Sequence, residues 1–289
     1  MQRLGWSDIP QWDADDHAAA WAAFAIDAPR LNAKGARLAF EIGFEAFEVT
    51  PPGTARFTGY YEPELAASPI RTDDFPAPLY AMPPGLPSPW LPRADIIAGD
   101  LLAGYEIAYV SSRIEAFLAQ VQGSVRLRMT DGSVWRLGYA GKNGQPYASI
   151  GRELVRRGVA LADQMTPDAI RIWCAENPDL VTGLLNTNPS FVFFRVLDLP
   201  PETGPIGSMG LPVTARRSLA VDPAVIPLGA PVWIDCPGFG ARLMVAQDTG
   251  SAIKGAGRGD IFIGSGADAG RIAGGINTAG RMIWLRRRT

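Results

Sequence analysis

The stretch Arg242–Gly264 constrains the fold more than any other. It reads as an apolar strand, Arg242-Leu243-Met244-Val245-Ala246-Gln247, closed by Asp248. A glycine-rich connection follows, and Asp260 opens a second apolar strand, Ile261-Phe262-Ile263-Gly264. Both apolar runs are short and bounded by glycine, which fits buried strands better than a helix. Two such strands in one sheet would hold Asp248 and Asp260 at the same end, where each charge raises the other's proton affinity. Asp-Thr-Gly and Gly-Asp are also ordinary turn signals. Spacing alone leaves both readings open.

Composition narrows the chemistry. The chain of 289 residues has length for one large domain or two modest ones. Its 32 glycines and 25 prolines favour short strands and turns over long helices. A net charge of −2 gives no electrostatic case for nucleic acid. With His17 as the single histidine, neither a histidine-rich zinc site nor a Ser-His-Asp triad can be assembled. Cys174 and Cys236 lack CxxC spacing, so no metal site is expected, and nothing in the sequence supports a disulfide between them. Catalysis must rest on carboxylates or other side chains. No phosphate-binding GxxxxGK[ST] surrounds Lys142, Lys254 or Arg258, which argues against a nucleotide.

Along the chain, Asp13–Asp16 caps a helix over residues 18–24 that Pro29 should end, and a second helix is expected over 33–47, with Leu38 and Ile42 on its apolar face. Ala55–Tyr61 reads as a strand. Residues 76–92 hold Pro76, Pro78, Pro83, Pro84, Pro87, Pro89 and Pro92, which suggests an extended crossover between domains. Beyond it come a helix over 111–121, a hairpin over 124–137 about Asp131-Gly132, a turn-rich loop over 139–146, and helices over 148–158 and 166–176. Val192–Arg195 is expected as a strand. Arg286-Arg287-Arg288 reads as a solvated tail.

Five blocks in order carry a resemblance: Phe57-Thr58-Gly59-Tyr60-Tyr61-Glu62-Pro63, Tyr139–Gly144, Asn188–Phe194, Ser218–Asp222 continuing to Ile226–Gly229, and Asp248 through Gly274. Together they resemble the MltA-type membrane-bound lytic murein transglycosylases. The resemblance implies a mainly β fold: a discontinuous double-psi β-barrel from residues 1–85 and 188–289, an inserted α+β domain over 93–186, and a substrate groove between them. It implies cleavage of the β-1,4 bond between N-acetylmuramic acid and N-acetylglucosamine, giving 1,6-anhydromuramoyl ends, without cofactor or metal. Asp260 matches the catalytic acid/base and Asp248 a supporting aspartate. Tyr60, Tyr61, Glu62, Asn188, Ser190, Ser218 and Lys254 are the expected substrate contacts. Ser251 stands where family members often have a second glycine. The implied partners are peptidoglycan glycan strands and wall-remodelling complexes, with the protein a monomer. The implied location is the periplasm at the outer membrane, although Met1–Trp6 shows neither a leader's apolar core nor a lipid-accepting cysteine. An inverting glycosidase, a non-catalytic wall-binding module and a barrel with no glycan role stand as alternatives. The first needs a water between the two carboxyls.

Overall fold

The chain divides into two units, residues 1–61 with 202–289 and residues 62–201, each built around its own sheet. The computed structural model describes residues 1–288 except 27, 162 and 163. The first unit opens with β1 (Gln2–Leu4), α1 (His17–Phe24), α2 (Ala33–Gly43), β2 (Phe44–Glu48) and β3 (Ala55–Glu62). The second contributes β4 (Glu64–Ser68), β5 (Ala77–Tyr80), α3 (Arg93–Ala98), β6 (Glu106–Val110), α4 (Arg113–Gln122) and β7 (Ser124–Met129). It continues with β8 (Val134–Lys142), α5 (Ile150–Arg156), α6 (Pro167–Glu176), α7 (Pro178–Leu185) and β9 (Val192–Leu197). The chain then returns to the first unit as β10 (Ser218–Val221), β11 (Pro231–Cys236), β12 (Gly240–Asp248), β13 (Arg258–Ser265), α8 (Gly266–Gly274) and β14 (Asn277–Arg287).

The first sheet runs β1-β2-β14-β11-β12-β10-β13-β3, and β14 also pairs with β3. The strands from β14 round to β3 therefore form a hydrogen-bonded ring, from which β2 and β1 extend. Alternation along β11 shows how it is packed. Val232 and Ile234 join Phe57, Met244, Ala246 and Ile261 in one apolar cluster, while Trp233 joins Trp12, Phe40, Leu243 and Ile283 in another. Successive residues of a strand face opposite ways, so burial on both faces explains why β11 is apolar almost throughout. Asp16 caps α1 by accepting from Ala19 N at 3.1 Å, and Asn32 caps α2 by accepting from Gly35 N at 2.8 Å.

The second sheet runs β5-β6-β4-β7-β8-β9. The hairpin expected around Asp131-Gly132 is β7–β8, its turn held by Asp131 Oδ1 accepting from Ser133 N at 2.9 Å. Thr166 caps α6, with Pro167 in its first turn.

Several expectations need correction. Residues 44–47 belong to β2, not to a helix, and Phe44, Ala46 and Glu48 alternate into the interior. Helix α2 buries Ala36 and Phe40, whereas Leu38 and Ile42 are exposed. The proline-rich stretch is not a crossover between units. Residues 77–80 form β5 at the edge of the second sheet, where Pro78 leaves no ladder donor missing from a central strand. The units accordingly divide at 61/62 and 201/202, not at the expected 85/93 and 186/188. Tyr139–Lys142 belongs to β8, α7 is an additional helix, and Arg286 and Arg287 lie in β14.

Candidate active site

The two aspartate-bearing strands share the ring but are not neighbours. β10 lies between them, and its Ala220 is opposite Asp248 of β12 on one side and Asp260 of β13 on the other. Two strand spacings set the two Cα atoms about 10 Å apart. The parallel β10–β12 register slips at this point, so that Gln247 forms a bulge before Asp248. Bulges re-aim the following side chain. This one is fastened from within: Ser218 Oγ donates to Gln247 Oε1, and Gln247 Nε2 donates to Ala23 O at 2.9 Å.

Asp260 keeps a solvent-facing edge but sits among close-packed protein atoms. Burial lifts its pKa to about 6. The Thr58 hydrogen bond and the Arg258 charge oppose that rise, and the Asp248 charge adds to it. Arg258 reaches the carboxyl only through a hydroxyl. Its Nη2 donates to Thr58 Oγ1 at 2.7 Å, and Thr58 Oγ1 donates to Asp260 Oδ1.

Asp248 is held differently. Oδ1 accepts from Ser208 N at 2.9 Å, Ser208 Oγ at 2.8 Å and Thr249 N at 2.9 Å, and Oδ2 accepts from Tyr60 Oη at 2.9 Å. A carboxylate offers about four lone-pair sites, two on each oxygen, so Oδ1 is fully engaged while Oδ2 keeps one site beside Tyr60. Gly207 lets the Ser208 loop come this close, since a Cβ there would lie 2.7 Å from Gln247 O. Tyr60 packs against Phe262 with ring centroids 5.2 Å apart and the planes tilted by 47°. Burial first, then the charges of Asp248 and Asp260, push its phenol proton affinity well up, so it acts as a hydrogen-bond donor.

Of the expected substrate contacts in the first unit, Tyr60 joins the aspartates. Tyr61 points into the first unit's core, where its ring leaves room only for glycine at position 270. Glu62 is 1% exposed and ion-paired to Arg126 at 2.6 Å and Arg136 at 3.0 Å. Asn188 is buried, its Oδ1 accepting from Ala148 N and Ser190 N at 3.1 Å each. Ser190 is buried beside it, and Ser218 serves the bulge. Lys254 is exposed on the β12–β13 loop, where its charge acts on Asp222. Burial and protein partners give Tyr61, Glu62, Asn188, Ser190 and Ser218 structural roles within their own units. Thr58, Arg258 and Ser208 were missed. Thr58 had a signal: it lies two residues from Tyr60 and so shares its strand face.

Residues 56–195 match the family model described as the MltA specific insert domain, and residues 217–286 match the 3D domain. The membrane-bound lytic murein transglycosylase A of Escherichia coli (strain K12) is 40% identical over 249 residues, which is 81% of this chain and 66% of that protein. A membrane-bound lytic murein transglycosylase from Agrobacterium tumefaciens has a similar crystal structure, with a TM-score of 0.90 and 31% identity over 99% of this chain and 97% of that one. The chain belongs to the membrane-bound lytic murein transglycosylase A family. E. coli MltA crystallised with bound chitohexaose is also similar, at a TM-score of 0.78 and 33% identity over 98% of this chain and 87% of that one. Within this MltA-family chain, Asp248 and Asp260 fall in the 3D-domain match, while Thr58 and Tyr60 fall at the start of the insert-domain match. The match spans just under two thirds of the E. coli protein's length, at 66%.

Proposed function

We propose that this chain is a peptidoglycan lytic transglycosylase, cleaving the β-1,4 bond between N-acetylmuramic acid and N-acetylglucosamine with Asp260 as its single acid and base. The observation that carries this reading is the Asp260 carboxyl, lifted to about 6 by burial while Asp248 nearby is held by Tyr60, Ser208 and Thr249. Breaking a glycosidic bond needs a proton delivered to the leaving oxygen as an oxocarbenium-like centre develops. Asp260 gives up that proton and becomes the carboxylate that then deprotonates the C6 hydroxyl of the same sugar. The C6 oxygen closes on the anomeric carbon, forming the 1,6-anhydro ring, and no water enters. Asp248 has the supporting role, its charge adding to the rise in the proton affinity of Asp260.

The strand ring of the first unit fits the double-psi β-barrel that the family resemblance implies. The relatives are named membrane-bound, which supports a position facing the murein layer. Mass spectrometry of the soluble products from purified peptidoglycan tests the reaction. The expected products are lighter by one water than hydrolytic muropeptides and vanish with Asp260→Asn. Reducing-end products from the unaltered protein would overturn the proposal.

A further inference from the structure

The second unit encloses a cavity of about 320 Å³ between β5, α3, β6, α4 and α7. Its size is that of a small-molecule pocket, and it plays no part in the chemistry of Asp260. Three polar side chains at its wall belong to residues more than nine-tenths buried: Tyr80, Arg93 and Gln120, at 8%, 6% and 6% exposure. Arg93 is an unusual group to bury. No carboxylate pairs with it among the described residues. Its guanidinium lies between the rings of Phe117 and Phe191, at 4.7 and 4.8 Å from their centroids. Nε donates to Asn188 O at 3.2 Å, and Nη2 donates to Ser190 O at 2.6 Å and Gln120 Oε1 at 2.5 Å. Nη1 has no hydrogen-bond partner among the described residues and is not sealed from solvent, which leaves it to the cavity that Arg93 lines.

The same holds for two neighbours. Gln120 spends its oxygen on Arg93, so its amide nitrogen is the atom left over, and the Tyr80 hydroxyl has no protein partner among the described residues. Three buried donors thus line one cavity, one of them carrying a full charge. A buried charge without a counter-ion is costly, and burial already pulls the proton affinity of Arg93 down. An anion in the cavity would relieve that cost.

The geometry points to a binding site for a small monocarboxylate with a compact apolar body, its carboxylate held by Arg93 Nη1, Gln120 Nε2 and Tyr80 Oη. The walls suit such a body, with Pro78, Ile96 and Leu185 among them. The balance of charge sets the valence. Arg71 and Arg113 line the cavity with Arg93, and Asp100 and Glu106 offset two of the three. One positive charge remains, which suits a carboxylate better than a phosphate dianion.

Benzoate and its neutral isostere benzamide are the probes, titrated into the full chain carrying labelled isoleucine and leucine methyl groups. Benzoate is expected to shift the Ile96 and Leu185 signals and to bind about tenfold or more tighter than benzamide. Arg93→Met should abolish the difference. Because Arg93 also anchors Asn188 and Ser190, Tyr80→Phe and Gln120→Leu provide the test if that variant does not fold, each weakening benzoate several-fold. N-acetyl-alanyl-alanine binding more tightly than benzoate would assign the site to a peptide C-terminus, and weaker binding to a free organic acid. Equal affinity for benzoate and benzamide, or no shift at Ile96 and Leu185, overturns the proposal.

Discussion

Glu62 and Asp260 are both carboxyls with arginine close by, and the contacts differ in kind. Glu62 meets two guanidinium groups directly, Arg126 at 2.6 Å and Arg136 at 3.0 Å. Asp260 meets Arg258 only through the Thr58 hydroxyl. Direct, charge-assisted contact favours the anion strongly. An interposed neutral hydroxyl transmits only part of that effect, so burial prevails and the carboxyl rises to about 6. One contact makes a structural clamp. The other leaves a proton that can move.

The widest break in this comparison is Asp260→Asn, which should lower anhydromuropeptide formation by about 10³-fold or more, within the range for losing a general acid. The same variant should be more stable at neutral pH. The wild-type group has its folded pKa, about 6, above its unfolded value of 3.8. Its stabilising proton is fully held below that unfolded value and lost as pH rises through 6. Asparagine carries no such loss, and the gain should be roughly 1–3 kcal/mol by denaturant unfolding at pH 7.5. Glu62→Gln should do the reverse. It leaves two guanidinium groups facing a neutral amide and should cost about 3–5 kcal/mol in unfolding free energy, while the pH dependence of catalysis keeps its shape.

Smaller effects sharpen the comparison. Thr58→Val removes the hydroxyl link that restrains Asp260, so the pH above which activity falls should move upward from about 6, read from initial rates across pH. Asp248→Asn removes the charge that supports the proton, and the same limb should move downward, leaving less activity at pH 7. That shift should be the smaller of the two, because the Asp248 charge contributes less than the Thr58 hydrogen bond.

Much of this site was legible in the order of residues, and its limits have physical causes. The two aspartates stood out because apolar runs flanked by glycine identify buried strands. Their separation by β10 was not legible, since strand order in a sheet with non-sequential neighbours is set by long-range pairing. Tyr60 and Tyr61 look alike in sequence, yet the period of two sends one toward the aspartates and the other into the core. Glu62 and Asn188 resembled groove residues because polar side chains are expected at surfaces. Each is buried because its partners, Arg126 and Arg136 for one and the Ala148 and Ser190 amides for the other, come from distant or turned chain. Ser208 gave no signal, lying in a loop without regular spacing. The helix read into residues 44–47 failed where alternating burial outweighed helix propensity.

The pairing of β14 bears on when the first unit's sheet closes. This strand bonds to β2, β3 and β11, closing a ring whose other members are all made earlier. A nascent chain paused before Asn277 already holds every residue of the second unit and both aspartates, yet β3, which brings Thr58 and Tyr60, has no partner on its β14 side. Closure of the ring therefore waits on β14, the strand that joins the early β2 and β3 to the late β11.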